Sequence, residues 1–214
     1  MSFVDDHIRY SDNVYVETTS NGNPIVWRAD LGIGYLPSTG FSYSEEYWET
    51  YQKYAEGSIG EQLTKFRGEF VSRHLDPSSV CDVGIGNGQF VKHVNAKGFD
   101  INPFAKNWLE QNGLFADPYV ERFPGLTFWD VLEHFDDPSI ILKCTDRVFM
   151  SVPIHQDFKS CLESKHLKPN EHIWHFTDAG IKFFMNYHGF ECVDQDDGET
   201  RAGRESIMTY FFRR

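Results

Sequence analysis

The spacing of apolar and polar positions changes character at Val80. Val80-Cys81-Asp82-Val83 is a short apolar run, and it feeds three glycines at alternate positions, Gly84, Gly86 and Gly88. Gln89-Phe90-Val91-Lys92-His93-Val94 then takes up the period of an amphipathic helix. Strand, glycine turn and helix start form the geometry that lets backbone approach a nucleotide-like ligand closely, because side chains in the turn would block it. Beyond the turn, strand-like and helix-like runs alternate. A second strand ends at Asp100, and a helix follows over 103–112. Leu114-Phe115-Ala116-Asp117 is a candidate third strand, residues 125–135 a fourth strand running into a loop, and Arg147 to Pro153 a fifth. A last helix is expected from Ala179 to His188, capped by the segment 171–178. Two closing strands follow, 189–193 and 206–212, joined by an acidic, glycine-containing loop. Such alternation predicts a mostly parallel sheet with right-handed crossovers, its final strand antiparallel. Ligands of such sheets lie outside the carboxyl ends of the strands.

The chain before Val80 is patterned differently. Val14-Tyr15-Val16 and Pro24-Ile25-Val26-Trp27 are expected to pair across Ser20-Asn21-Gly22-Asn23. Gly32, Gly34, Pro37 and Gly40 are expected to break any regular element after them. From Ser44 the spacing becomes helical, with Tyr47, Trp48, Tyr51 and Tyr54 on one aromatic stripe. That stripe reads first as core packing and second as a lid facing a ligand. A second helix, 59–75, carries Leu63, Phe66, Phe70 and Val71 on one face. Residues 1–70 therefore read as an aromatic-rich N-terminal extension or cap, and 71–214 as one compact core. The first 42 residues are placed to act as a lid or as the contact of a homodimer.

Composition narrows the class. At 214 residues the chain is long enough for one α/β domain with a full core, and no apolar run approaches the roughly 20 residues of a membrane span. Acids stand near the N-terminus where a signal peptide would carry bases, which predicts a soluble, cytoplasmic protein. The four cysteines form no C-x-x-C pair and read as reduced, mostly buried thiols. A formal charge of −12 disfavours a broad nucleic-acid footprint.

Five segments in order resemble the class I methyltransferases that use S-adenosylmethionine. They are Asp82-Val-Gly-Ile-Gly-Asn-Gly88, Gly98-Phe-Asp-Ile-Asn-Pro103, Trp129-Asp-Val-Leu-Glu-His-Phe-Asp-Asp-Pro138, Met150-Ser-Val-Pro153, and His172-Ile-Trp-His-Phe-Thr177 ahead of a helix and Gly189-Phe190. The resemblance covers roughly Phe70 to the C-terminus. It implies a Rossmann-like fold with a seven-stranded, mostly parallel sheet, an antiparallel last strand and helices on both faces. It also implies that Asp82, Gly84, Gly86 and Gly88 lie against the methionine part of the cofactor. Asp100, with Ile101 beside it, would meet the ribose, and Asp117 the adenine amine. Trp129 and Asp130 would lie near the cofactor on the fourth strand. The spacing from Gly88 to Asp100 is shorter than the family usually has. A nicotinamide dehydrogenase is disfavoured, because its G-x-G-x-x-G would need a glycine where Gln89 stands.

Methyl transfer needs a base only when the nucleophile must lose a proton. His134 and His155 follow the fourth and fifth strands and His175 precedes the last helix, so these three are the catalytic candidates, weighed against roles in capping or packing. His166, His172 and His175 read weakly as a metal site, since Trp174 separates the last two and no acid is fixed beside them in sequence. No metal is expected. Neither the D/N-P-P-Y/F/W element of base-amine methylation nor the Pro-Cys pair of cytosine methylation is present. A small-molecule acceptor methylated on O, N or C is the expectation. The alternatives are transfer to protein or nucleic acid, and a cofactor-binding module without catalysis.

Overall fold

The computed structural model describes residues 3–8, 13–37, 40, 44–55 and 57–214. Strands β4 (Cys81–Val83), β5 (Lys97–Phe99), β6 (Leu126–Trp129), β7 (Arg147–Pro153), β9 (Glu191–Asp196) and β10 (Ile207–Arg213) form one sheet in the order β5-β4-β6-β7-β10-β9. The first four are parallel, and β10 runs antiparallel to both β7 and β9. The seventh place, expected at 114–117, narrows to one bridging position between Gly98 and Phe115. There Gly98 N–H donates to Leu114 O and Ala116 N–H donates to Gly98 O before Pro118 ends the contact.

Alternation along the strands sorts their side chains to two faces. Phe128, Val148, Met150, Val152, Tyr210 and Phe212 pack with α5 (Ser139–Leu142) and α7 (Asp178–Tyr187). Trp129, Phe149 and Phe211 face the other way, onto Phe70 and Val71 of α2 (Ser58–Ser72) and Phe90 of α3 (Gln89–Val94). Helix α4 (Pro103–Gln111) starts at an Asn102 cap and buries Ala105 and Leu109 beside Ile85 and Val91. α1 (Glu45–Ala55) places Trp48 against Trp108, while the side chains of Tyr47, Tyr51 and Tyr54 lie outside the described residues.

The N-terminal segment forms a second sheet, β1 (Val14–Thr18), β2 (Pro24–Arg28) and β3 (Ile33–Tyr35), all antiparallel, closed by β8 (Trp174–Phe176) from the core. The expected β1–β2 hairpin is present. The expectation that Gly32 and Gly34 would break the chain fails at 33–35. Gly34 serves instead as a close-approach residue, since a Cβ there would lie 2.8 Å from the Trp27 ring. The 171–178 segment, read as a cap, likewise contains β8, and its Thr177 does cap α7 by accepting from Gly180 N. An isolated bridge, Ile154 to Phe176, joins the two sheets. All four cysteines are free thiols, with Cys81 and Cys161 buried. Among the described residues no helix is long and apolar enough to cross a membrane.

Candidate functional site

The glycine turn follows β4 directly. Gly84, Gly86 and Gly88 all have positive φ, and Gly88 is the N-cap of α3. A Cβ on Gly84 would meet Val131 at 2.7 Å, and one on Gly88 would meet the Trp108 ring at 2.5 Å. Glycine is therefore demanded twice over, by backbone conformation and by the walls packed against the turn. Asp82 stands beneath it, 1% exposed, with its Oδ1 accepting from Thr127 Oγ1 at 2.5 Å. Burial pushes its carboxyl up to about 8, against the Thr127 hydrogen bond and the Arg67 charge.

Asp100 lies at the end of β5, half-buried, with Oδ1 accepting from Asn102 N at 2.8 Å. Burial raises it to about 6, so it is largely ionised at neutral pH and keeps acceptor capacity for hydroxyl donors. Ile101 beside it is 71% exposed, an apolar face next to a carboxylate. Asp117 is taken up locally, accepting from Tyr119 N at 2.9 Å. An acid for a diol, an apolar face for a purine ring and a glycine turn for the remainder match the functional groups of S-adenosylmethionine.

At the end of β6 the expected Asp130 joins three residues that sequence reasoning missed, Arg67, Glu199 and Arg204. Asp130 follows Trp129 at φ +59, a left-handed conformation that Asp tolerates better than most residues. It pairs with Arg67 of α2 at 3.1 Å and Arg204 at 2.6 Å. Glu199, in α8 (Gly198–Arg201), is 0% exposed and bonds the same two guanidiniums at 2.7 and 2.6 Å. Burial would raise Asp130, but Arg204 and Arg67 outweigh it and hold the carboxyl below its usual range. Arg67 also lies over the Trp129 ring, 5.1 Å from its centroid. The network ties the site's floor to α2 and α8. One signal was available in sequence: Arg67 interrupts the apolar face Leu63, Phe66, Phe70, Val71.

The three candidate histidines come together, and His172 links them. Ring centroids are 4.7 Å apart for His134 and His172, 6.2 Å for His172 and His175, and 5.8 Å for His155 and His175. Burial lowers all four, His155 to about 4 and His175 to about 3, so each is neutral at pH 7. Glu133, which sequence reading did not place beside them, forms a donor group with His134 and His172. It is 0% exposed, its two carboxyl oxygens lack partners among the described residues, and burial raises it well above the usual carboxylate range.

A family model described as a methyltransferase domain matches residues 51–195. No curated protein matches the sequence. Among solved structures, the magnesium protoporphyrin IX methyltransferase of Synechocystis PCC 6803, with S-adenosylhomocysteine bound, is 16% identical at a TM-score of 0.54, covering 79% of this chain and 93% of that one. A possible histamine N-methyltransferase of Thermotoga maritima is 14% identical at a TM-score of 0.57, covering 79% and 97%. A 1,6-didemethyltoxoflavin-N1-methyltransferase of Burkholderia thailandensis is 13% identical at 0.54, covering 93% and 98%. The match over 51–195, on a sheet that carries the glycine turn and Asp100 at its carboxyl end, places this chain in the methyltransferase-domain family, the class I enzymes that use S-adenosylmethionine.

Proposed function

We propose that the chain methylates a small molecule held at the carboxyl ends of β6 and β7, with His134 taking the acceptor's proton. The observation that carries this reading is the withdrawal of the imidazoles from solvent. His155, His172 and His175 are each at most 5% exposed, and burial keeps His134 neutral as well. An enclosed neutral base suits an acceptor that can itself be enclosed, whereas a polymer needs an open and, for nucleic acid, basic surface. The net charge of −12 points the same way. The Burkholderia thailandensis structure, which shares the fold, holds 1,6-didemethyltoxoflavin, a small molecule.

S-adenosylmethionine, when bound, supplies an electrophilic methyl group. Asp100 would accept from the ribose hydroxyls, Ile101 would cover a face of the adenine, and the second carboxyl oxygen of Asp117 would meet its amine. Asp82 and the glycine turn would hold the methionine end, with Trp129 and Asp130 beside it. His134 draws a proton from the acceptor's O–H or N–H as the nucleophile attacks. His155 and His175 are weaker bases than that task wants, because their burial costs them basicity. The sheet β1–β3 acts as a cap, since β3 lies along the strand that carries His175, whereas α2, expected to belong to the cap as far as residue 70, packs on the core sheet.

The test incubates the enzyme with methyl-labelled S-adenosylmethionine and a cell extract, then separates small molecules from protein and nucleic acid by ultrafiltration. Enzyme-dependent label in a filtrate species other than S-adenosylmethionine supports the reading; label retained with RNA or protein overturns it. With the acceptor in hand, His134→Gln should lower kcat by about 10²- to 10⁴-fold while leaving cofactor affinity unchanged. An unchanged kcat removes His134 from the role.

A further inference from the structure

Next to the acceptor end lies a group of donors with no part in the chemistry above. His155 follows β7, Cys161 belongs to α6 (Phe158–Leu162), and His175 is the central residue of β8. Their ligating atoms all lie within 4.8 Å of one another, and the three residues are 4%, 0% and 2% exposed.

Core packing accounts for the thiol, which sits in an apolar cluster with Ile25, Trp27 and Leu36. It does not account for the imidazoles. Nε2 of His155 and Nε2 of His175 are both buried with no hydrogen-bond partner among the described residues, an arrangement that native interiors rarely keep without a reason. Nε2 is thus the ring nitrogen that both imidazoles leave available to a ligand.

The frame around the three is fixed. His155 N–H donates to Phe176 O at 2.8 Å, one residue from His175. A capping box between Asp157 and Ser160 anchors α6 three residues after that bond's donor segment begins, with Ser160 N donating to Asp157 Oδ1 at 2.8 Å. A cavity of about 350 Å³ is lined in part by Gln156, Phe158 and Thr177, sequence neighbours of the donors, and by none of the three donors themselves.

We propose that His155, Cys161 and His175 form a site for one borderline-soft divalent cation, Zn²⁺ by preference, with a fourth position open to water or a ligand. Two imidazole nitrogens and a thiolate suit Zn²⁺, whereas Mg²⁺ and Ca²⁺ require oxygen donors. Bonds of about 2.0–2.1 Å to nitrogen and about 2.3 Å to sulfur are compatible with donors that all lie within 4.8 Å of one another. The Cys161 proton leaves to solvent as the metal–sulfur bond forms, and nothing is oxidised or reduced. This site shares no donor with the group of Glu133, His134 and His172, although His172 lies next to His175, and it does not depend on the acceptor assignment.

The test uses the full chain, stripped with a chelator and titrated with Co²⁺, followed by displacement with Zn²⁺. One equivalent should give the visible bands of tetrahedral cobalt and a near-ultraviolet thiolate charge-transfer band. Cys161→Ala and the volume-conserving Cys161→Ser should both lose the charge-transfer band. His175→Gln should weaken Zn²⁺ binding by more than the roughly 10- to 100-fold cost of losing an outer-shell partner. Glu133→Gln should keep the full spectrum. Absence of the bands in folded wild-type protein overturns the proposal. So does a charge-transfer band that survives in either Cys161 variant, or a spectrum lost in Glu133→Gln.

Discussion

Glu199→Gln is the most informative perturbation of the fold. Glu199 is 0% exposed, and its Oε1 accepts from Arg67 Nε at 2.7 Å. Its Oε2 accepts from Arg67 Nη2 at 2.9 Å and from Arg204 Nη1 at 2.6 Å. With Asp130 sharing both guanidiniums, two cations and two anions balance. Glutamine keeps the shape and removes one negative charge, so a net positive charge is left among buried groups. Breaking a buried pair by removing one partner costs about 3–5 kcal/mol. The side chains of Arg67 and Arg204 are 16% and 27% exposed, which lets water relieve part of the charge and favours the lower end. At about 2–4 °C per kcal/mol for a chain of this size, a loss of about 3 kcal/mol lowers Tm by about 6–12 °C. Urea and thermal denaturation of both proteins measure it. The loss should change little with salt, unlike that of the exposed Lys65–Glu69 pair, which contributes at most about 0.5 kcal/mol. Adding Arg204→Met to Glu199→Gln restores neutrality and should recover about 0.5–3 kcal/mol as coupling between neighbours. A Glu199→Gln effect under about 0.5 kcal/mol, the range of ordinary surface changes, would refute the electrostatic reasoning.

Two further outcomes follow from the same geometry. Gly88→Ala places a Cβ 2.5 Å from the Trp108 ring at φ +77, so overpacking of about 1–3 kcal/mol adds to about 1–2 kcal/mol for the left-handed backbone. Its urea midpoint should fall accordingly, and an unchanged midpoint would show that the turn is not held as described. For Asp82, the folded carboxyl is raised to about 8 from 3.8, so its contribution is fully present below pH 4 and is lost as pH rises through 8. Asp82→Asn should therefore gain on wild type across that window by up to about 1.4 kcal/mol per pH unit, and a pH-independent difference would contradict the burial argument.

Local signals carried most of the fold. The run into Gly84, the period shift at Gln89 and the apolar stretch from Arg147 to Pro153 became β4, α3 and β7, because their apolar pattern and bounding turn residues mark them before their partners are known. What escaped depends on long-range pairing. Trp174-His175-Phe176 is three residues long and is a strand only because β3 lies beside it. Gly34 looks like a breaker until Trp27 is seen to need the space. The site divides the same way. Asp82 and Asp100 were legible from their place after strands. The Arg67–Glu199 pair joins residues 132 apart, and its acid lay in a stretch read as a loop. There Gly198 lets α8 approach, since a Cβ would lie 2.1 Å from the Phe66 ring. The histidines were each visible, but their grouping, and Glu133 among them, belongs to the tertiary structure.

Calorimetric titration with S-adenosylmethionine and with its demethylated product, on wild type and on Asp100→Asn, tests the cofactor site most directly. Saturable binding of both ligands is expected in the wild type. Loss of hydrogen bonds to a charged acceptor, about 1.5–3 kcal/mol, should weaken it by about 10- to 100-fold in the variant. Folded wild-type protein that binds neither ligand, or an Asp100→Asn variant that binds as tightly, would contradict the placement of the cofactor at the carboxyl end of this sheet.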